Sequence, residues 1–271
     1  MINWLLEPLT YGFMQRGLAA SIMVGILCAV MGTYVVLRGM AFLGDAMAHA
    51  ILPGIAIAYI LDGNLLIGAA AAAGAVALGI GYISRSGNLK EDTAIGILFA
   101  AALSLGVALI STMQTYAVDL SHILFGNVLG VSPTDLWLTA ILGAGILLTV
   151  ALFYKQFLVI SFDPVLAATL RLPAELLRYA MLFLLALTVV VSLQTVGVGL
   201  SSAMLVTPAA TAFLLTRRLW PMMLVSALLG ALSSIVGLYL SYYLNIVSGA
   251  AIVLTATSFF LAAFIWKRLK S

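Results

Sequence analysis

Residues 42–59 read FLGDAMAHAILPGIAIAY, an apolar stretch that carries Asp45, His49 and Pro53 at intervals of four. An ionised carboxylate at bilayer depth costs roughly 2.5–3.5 kcal/mol on insertion scales, so such residues usually face a bundle interior or a wet pathway. Residues at i and i+4 of a helix lie one above the other, with Cβ atoms roughly 5–6 Å apart. The pattern therefore predicts a helix, kinked at Pro53, whose Asp45 and His49 meet one divalent cation. The structural alternative is that this pair hydrogen-bonds to neighbouring helices.

The composition defines the class of protein. Of the 271 residues 64% are hydrophobic and 8% are charged, which leaves no solvated surface for a soluble domain and indicates an integral membrane protein. The net charge of +3 does not indicate a nucleic-acid partner, because the lysines and arginines separate apolar runs. The single cysteine, Cys28, excludes an intrachain disulfide and a cysteine-rich metal site.

About nine runs are long enough to cross the ~30 Å hydrocarbon core. We therefore predict an all-α polytopic membrane protein that forms a single domain over residues 1–271. The predicted spans are 18–37, 42–61, 65–83, 93–112, 135–154, 178–198, 200–216, 219–243 and 249–266. The least distinct of these spans are the two next to Gly197 and Gly199, and if they formed one helix the chain would have eight spans.

Positive charge predicts the orientation, because cytoplasmic loops collect lysine and arginine. Alternation of the nine spans places 11 of the 12 cations on one side, with Arg16 alone on the other. The N-terminus is therefore predicted to be external and the C-terminus cytoplasmic. The cytoplasmic stretch Ser84–Asp92 is predicted to be an ordinary solvated turn.

The external segment 113–134 is too short to cross the membrane but apolar enough to dip into it. We predict a re-entrant or interfacial half-helix at roughly 119–130. Asp119 and His122 lie three residues apart on its first turn and form a second candidate pair for the cation. An N-capping aspartate with a surface histidine is the alternative.

The longest cytoplasmic segment, 155–178, contains FDPVLAATLRLP. Asp163 is a good N-cap, Pro164 suits the first helical position, and Pro173 stops the helix. Such a short helix cannot span the membrane, and its apolar side chains suit a groove on a partner protein. The residues predicted to form this contact are Asp163, Pro164, Val165, Leu166, Leu170 and Arg171.

Small and hydroxylated residues are concentrated in QTVGVGLSSAMLVTPAATA, residues 194–212. Helix packing explains most of them. Glycine and proline together also indicate a broken helix, whose freed carbonyl groups would face protein or a water-filled path. The residues predicted to line that path are Pro53, Gln194, Ser201, Ser202, Thr207 and Pro208.

The motifs that are absent narrow the class further. The sequence has no GxxxxGK[ST] and no HExxH, which argues against an ATP-binding P-loop, a zincin-type protease and an enzyme in general. Three classes remain: a permease driven by a separate ATPase, a proton-coupled metal carrier, and a membrane scaffold. The short capped helix favours the first, and the presence of a single acid, Asp45, away from the very ends of the spans argues against the carrier.

Four stretches together resemble the permease subunits of bacterial manganese, zinc and iron ABC importers, and their sequences are most similar to those of the manganese members. These stretches are VLRGMAFLGDAMAHAILPGIAIAY (36–59), HILFGNVLGVSPTDLW (122–137), SFDPVLAATLRLP (161–173) and QTVGVGLSSAMLVTPAATA (194–212). The likeness runs in order from about residue 10 to 265. It implies a fold similar to that of the cobalamin and siderophore importers, with Asp45 and His49 marked for metal passage and Ser161–Pro173 as the coupling helix.

The resemblance also implies partners and a location. It implies a homodimer of permeases, two cytoplasmic ATP-binding subunits and an extracytoplasmic metal-binding protein, all at the bacterial cytoplasmic (inner) membrane. No cofactor is expected to be bound permanently, and the transported ion is expected to be Mn²⁺, with Zn²⁺ or Fe²⁺ as the alternatives. Nitrogen and oxygen ligands without thiolate suit all three ions.

Overall fold

The computed structural model describes residues 7–85, 89–112, 128–162 and 164–270, and α-helices dominate these ranges. Short 3₁₀ turns lie at Pro8–Thr10 and Val128–Gly130. The α-helices of the described residues are α1 (Gly12–Leu37), α2 (Leu43–Ala50), α3 (Leu52–Ile60), α4 (Leu65–Arg85), α5 (Glu91–Ser111), α6 (Pro133–Leu152), α7 (Tyr154–Phe162), α8 (Pro164–Thr169), α9 (Ala174–Val196), α10 (Val198–Leu215), α11 (Leu219–Leu244) and α12 (Ser248–Lys270).

Nine stretches of the described residues are long and apolar enough to cross a membrane. Helices α2 and α3 together make one of them, Leu43–Ile60, while α7 and α8 are too short to span. The nine predicted spans and the all-α class are therefore confirmed. Their ends differ by a few residues, and the largest difference is that α1 begins at Gly12 rather than at residue 18. The predicted half-helix at 119–130 falls mostly outside the described residues, which include only its end at Val128–Gly130.

Helix α1 lies at the centre of the bundle and packs against α6, α9, α10 and α11. Its small residues let neighbouring backbones come close: a Cβ atom on Gly32 would lie 1.6 Å from the carbonyl oxygen of Leu205 in α10. The Ser234 hydroxyl of α11 donates to the Ser21 carbonyl of α1 at 2.8 Å. Close backbone approach and interhelical hydrogen bonds replace the hydrophobic driving force that is missing between helices in lipid.

Gly197 alone separates α9 from α10. Its φ of 81° lies in the region that glycine adopts readily and other residues rarely do. The chain therefore changes direction within one residue, and the two spans that the sequence left in question are separate helices.

The helix that carries Asp45 and His49 is held inside this bundle. Helix α2 packs against α5, α10, α9 and α4, and Gly44 brings it against α10, since a Cβ atom there would lie 2.8 Å from the Leu205 side chain. Close contact at Gly44 sets the height and rotation of the residue that follows it, Asp45.

Candidate metal site and short helix α8

Asp45 lies in the first turn of α2 and His49 in its last. The His49 Nδ1 atom is 3.7 Å from Asp45 Oδ1 and 2.9 Å from the Asp45 backbone carbonyl oxygen. The side chains of Asp45 and His49 are 43% and 27% exposed in this single chain. The sequence prediction that these two groups share one helix face is therefore confirmed, and both reach open space.

The backbone hydrogen bond determines which ring nitrogen of His49 is available. A carbonyl oxygen can only accept, so in the neutral ring Nδ1 carries the hydrogen and Nε2 keeps its lone pair. At metal sites, a histidine usually binds the ion through one ring nitrogen and is oriented by a hydrogen bond from the other. The pair can thus offer one imidazole nitrogen and one carboxylate oxygen.

Phe99 of α5 restrains the imidazole from the other side. Its ring meets the His49 ring edge-on, with centroids 5.7 Å apart and planes at 85°. Phe42 in turn meets Phe99 at 5.3 Å and 86°. Such edge-to-face pairs are the preferred aromatic geometry, and together they fix the position of His49.

Pro53 falls two residues into α3, and Ile51 separates α2 from α3. The predicted break near Pro53 is present, but the chain forms two short helices there. Asp45, His49 and Pro53 therefore do not lie along one continuous helix. Pro53 is buried. Asp45 and His49 therefore remain together while Pro53 belongs to the next helix.

The predicted path residues of α10 fall on two faces. Ser201 and Pro208 are buried, and the Ser201 hydroxyl donates to the Val198 carbonyl. Ser202 and Thr207 are half-buried, and the Ser202 backbone lies 3.7 Å from where a Cβ atom on Gly44 would be. Of these residues, Ser202 is therefore the one whose backbone adjoins the helix that carries Asp45. The side chain of Gln194 and the whole of Asp119 and His122 lie outside the description.

Within the described ranges, no group of three or more His, Cys, Asp and Glu side chains could hold one metal ion. Asp45 and His49 would supply two ligands. A complete coordination shell therefore needs groups from outside this set, such as carbonyl oxygens, hydroxyls, water or a second protein chain.

The cytoplasmic helix predicted at 163–170 is α8, Pro164–Thr169. Leu166 and Leu170 are 46% and 55% exposed, while Ala167 is fully buried. Asp163, and the side chains of Pro164 and Val165, lie outside the description. The short helix is confirmed, with apolar side chains directed outward.

The stop signal of this helix differs from the prediction. Arg171 adopts a left-handed conformation, with φ of 53°, and the Leu172 N–H donates to the Ala167 carbonyl at 3.0 Å. This six-residue closure is a common helix ending. Pro173 is instead the residue before α9, so proline begins the next helix rather than ending α8.

A charged cluster at one end of the bundle was missed by sequence reasoning. Glu91, predicted to lie in a solvated turn, accepts from Arg38 Nη2 at 2.8 Å and from Arg178 Nε at 3.0 Å. Burial lowers the pKa of the Arg38 guanidinium, and the Glu91 carboxylate opposes that shift. The signal available in the sequence was that all three residues lie at predicted span ends on one side.

The helical bundle with an ionisable pair inside it defines a polytopic membrane transport protein. The model of the ABC 3 transport family matches residues 10–267 of the chain. The chain belongs to this family.

Individual proteins agree with this assignment. The chain is 49% identical over 258 residues to the manganese transport system membrane protein MntC of Halalkalibacterium halodurans, covering 95% of this chain and 88% of that protein. It is 40% identical to the chelated iron transport system membrane protein YfeD of Yersinia pestis, covering 97% and 89%. Among solved structures, PsaBC from Streptococcus pneumoniae in complex with Fab matches with a TM-score of 0.86 and 43% identity, covering 97% of this chain and 95% of that one.

Proposed function

We propose that the chain is the permease subunit of an ATP-driven importer of divalent transition-metal ions, and that Mn²⁺ is the ion it carries. The observation that supports this most directly is that the Asp45 carboxylate and the His49 ring lie side by side in an apolar bundle, with both side chains partly exposed and Nε2 available as a ligand. Nitrogen and oxygen ligands without thiolate suit Mn²⁺, Fe²⁺ and Zn²⁺. The likeness to manganese transport proteins favours the first of these.

The functional unit is a homodimer. A carboxylate that is 43% exposed cannot face lipid without a cost of roughly 2.5–3.5 kcal/mol, so water or protein must cover Asp45. A second copy across a twofold axis would supply another Asp45 and His49, which makes two nitrogen and two oxygen ligands. The ion would then pass along the axis between two identical chains, each contributing its 1–271 permease domain.

Two cytoplasmic ATP-binding subunits drive transport. The chain lacks a P-loop, and α8 presents the exposed Leu166 and Leu170 side chains where a partner groove could bury them. Docking of α8 transmits the ATP-dependent movement to α9, which follows it directly. An extracytoplasmic metal-binding protein delivers the ion from the other side.

The chain is placed in the bacterial cytoplasmic (inner) membrane with an external N-terminus and a cytoplasmic C-terminus. The asymmetry of lysine and arginine supports this orientation. Along the path of an ion that leaves Asp45 and His49 we place Ser202, whose backbone adjoins Gly44 of the same helix α2, and Thr207, which the sequence predicts to line the path. These are weak oxygen ligands that let the ion move on.

Iron(II) or zinc is the second candidate cargo. The likeness to the Yersinia pestis protein, whose name specifies chelated iron, favours iron over zinc. Divalent affinities rank zinc above manganese at most such sites, so the ion is selected by the delivering protein as well as by the permease.

Reconstituted transport tests the proposal. The chain, its ATPase and its metal-binding protein are placed in liposomes, and uptake of radioactive Mn²⁺ is measured with and without ATP, with Fe²⁺ and Zn²⁺ as competitors. We expect uptake that requires both ATP and the ATPase. Metal uptake by the chain alone, driven by a proton gradient, would overturn the proposal in favour of a carrier.

A further inference from the structure

We infer that Glu91 is a positioning residue that couples the ATPase-docking end of the chain to the metal ligand His49; this inference rests on the proposed function. Glu91 lies at the start of α5, and it binds arginines from α1 and α9 at once. The same helix α5 carries Phe99, which contacts His49. One helix therefore connects the two ends.

The contacts around Glu91 are short and shielded from solvent. Arg38 Nη2 lies 3.1 Å from Oε1 and 2.8 Å from Oε2 of Glu91, and Arg178 Nε lies 3.0 Å from Oε1. The three side chains are between 13% and 18% exposed. Arg178 also donates to the Ser84 hydroxyl at the end of α4. The cytoplasmic ends of α1, α4, α5 and α9 are thus joined through one carboxylate.

The cluster adjoins the helix that would dock on the ATPase. Only residues 170–173 separate α8 from α9, and Arg178 lies in the first turns of α9. A displacement of α8 must therefore reach Arg178 through a short connection, which the Leu172 N–H ties back to Ala167. Movement of α9 pulls on the Glu91 carboxylate directly.

From Glu91 the displacement travels along a rigid element. Residues 91 and 99 are eight positions apart in an uninterrupted α-helix, which spans about 12 Å at 1.5 Å per residue. Phe99 then meets the His49 ring at 5.7 Å. A change in the tilt of α5 therefore alters the position of the imidazole.

Stability alone is a poor account of this cluster. A partly buried group with two positive charges and one negative charge often contributes no more than an apolar replacement would, since desolvation offsets the attraction. In some proteins, buried charges of this kind select one of two arrangements, and we assign that role to this cluster. When α9 moves relative to α1, the Glu91 carboxylate can keep its contact with one guanidinium group and release the other.

Hydrogen exchange on the assembled complex tests the coupling without any transported ion. In the wild type we expect a non-hydrolysable ATP analogue to change the amide exchange of the first turns of α9 and of residues 92–100 together. In Glu91→Gln the change at α9 should persist while the change at 92–100 is lost. Asp92→Asn, which removes a charge from the same helical turn, is the matched control and should retain both changes.

Transport provides the second readout. Glu91→Gln should lower Mn²⁺ uptake per ATP hydrolysed by about tenfold or more, with ATPase copurification unchanged. In the double variant Glu91→Gln/Phe99→Ala the loss should not exceed that of the more severe single variant, because both residues act through His49. Should Glu91→Gln fail to accumulate, Arg178→Gln removes the same contact from α9 and should give the same loss of exchange coupling.

Three results would overturn the inference. Glu91→Gln could retain both exchange changes, as Asp92→Asn should; it could exchange faster to the same extent with and without nucleotide; or the transport losses of Glu91→Gln and Phe99→Ala could multiply in the double variant. Failure of the proposed function looks different. In that case the wild type imports no metal and still shows the nucleotide-dependent change in amide exchange at residues 92–100. If Glu91→Gln then loses that change, the coupling through Glu91 stands and the proposed cargo is wrong.

Discussion

Phe99 of α5 meets His49 of α2 edge-on, with ring centroids 5.7 Å apart and planes at 85°. The contact joins a helix that begins at the charge cluster of Arg38, Glu91 and Arg178 to the helix that carries both candidate metal ligands. The orientation of His49 therefore depends on packing from α5 as well as on its own backbone hydrogen bond.

Removal of this ring should loosen the imidazole. Edge-to-face aromatic pairs contribute about 0.5–1.5 kcal/mol, so Phe99→Ala should weaken Mn²⁺ binding by roughly two- to tenfold, which titration of the purified permease measures. Phe183→Ala, at an exposed position on α9, is the control and should bind normally. Equal affinity in the two variants would show that the ring does not position His49.

The ligand pair itself should be essential for transport. Asp45→Ala and His49→Ala each remove one candidate metal ligand, and each also removes a polar group from inside the membrane, so the protein should remain folded while uptake is abolished. Asp62→Asn removes a carboxylate from the loop after α3, where φ is 49° and asparagine is tolerated. This control should transport as the wild type does. Loss of expression in both ligand variants would instead favour a structural role for the pair.

The exposed face of α8 should be required for assembly. Leu166→Glu places a charge where a partner must bury it, and loss of an apolar anchor commonly costs on the order of 1–4 kcal/mol. We expect loss of ATPase copurification and of transport, with Mn²⁺ binding retained. Leu269→Glu, at an exposed position near the end of α12, is the matched control. Normal copurification of Leu166→Glu would refute the assignment of α8.

Close helix packing at Gly32 should govern stability. A Cβ atom there would lie 1.6 Å from the Leu205 carbonyl oxygen, so Gly32→Ala must push α1 from α10 and should cost about 1–3 kcal/mol. A Cβ atom on Gly145 of α6 would meet no atom within 4 Å among the described residues. Thermal unfolding in detergent should show a lower midpoint for Gly32→Ala and no decrease for Gly145→Ala.

The orientation can be tested with single cysteines, because the native Cys28 is fully buried. A membrane-impermeant thiol reagent should label position 16 from outside the cell and positions 85, 171, 217 and 268 only after the cytoplasmic face is opened. Labelling of position 268 in intact cells would reverse the predicted topology.

The sequence alone determined the class of protein, the nine spans, the position of Asp45 and His49 on one helix face, and the short helix α8. These features are local: hydropathy depends on a window of about 20 residues, and the i, i+4 relation follows from the pitch of one helix. The stop of α8 at Arg171 was missed because a left-handed arginine has no signature as clear as glycine or proline.

Only the tertiary structure decided which helices meet. Arg38 and Arg178 lie 53 and 87 positions from Glu91, and no periodicity connects them. Likewise, the exposure of Ser202 and the burial of Ser201 depend on the rotation of α10, which its contacts with Gly32 and Gly44 set. Helix rotation and pairing in a membrane are chosen by close packing of small residues from distant parts of the chain, so the charge cluster and the open side of the site emerge only when the helices are packed together.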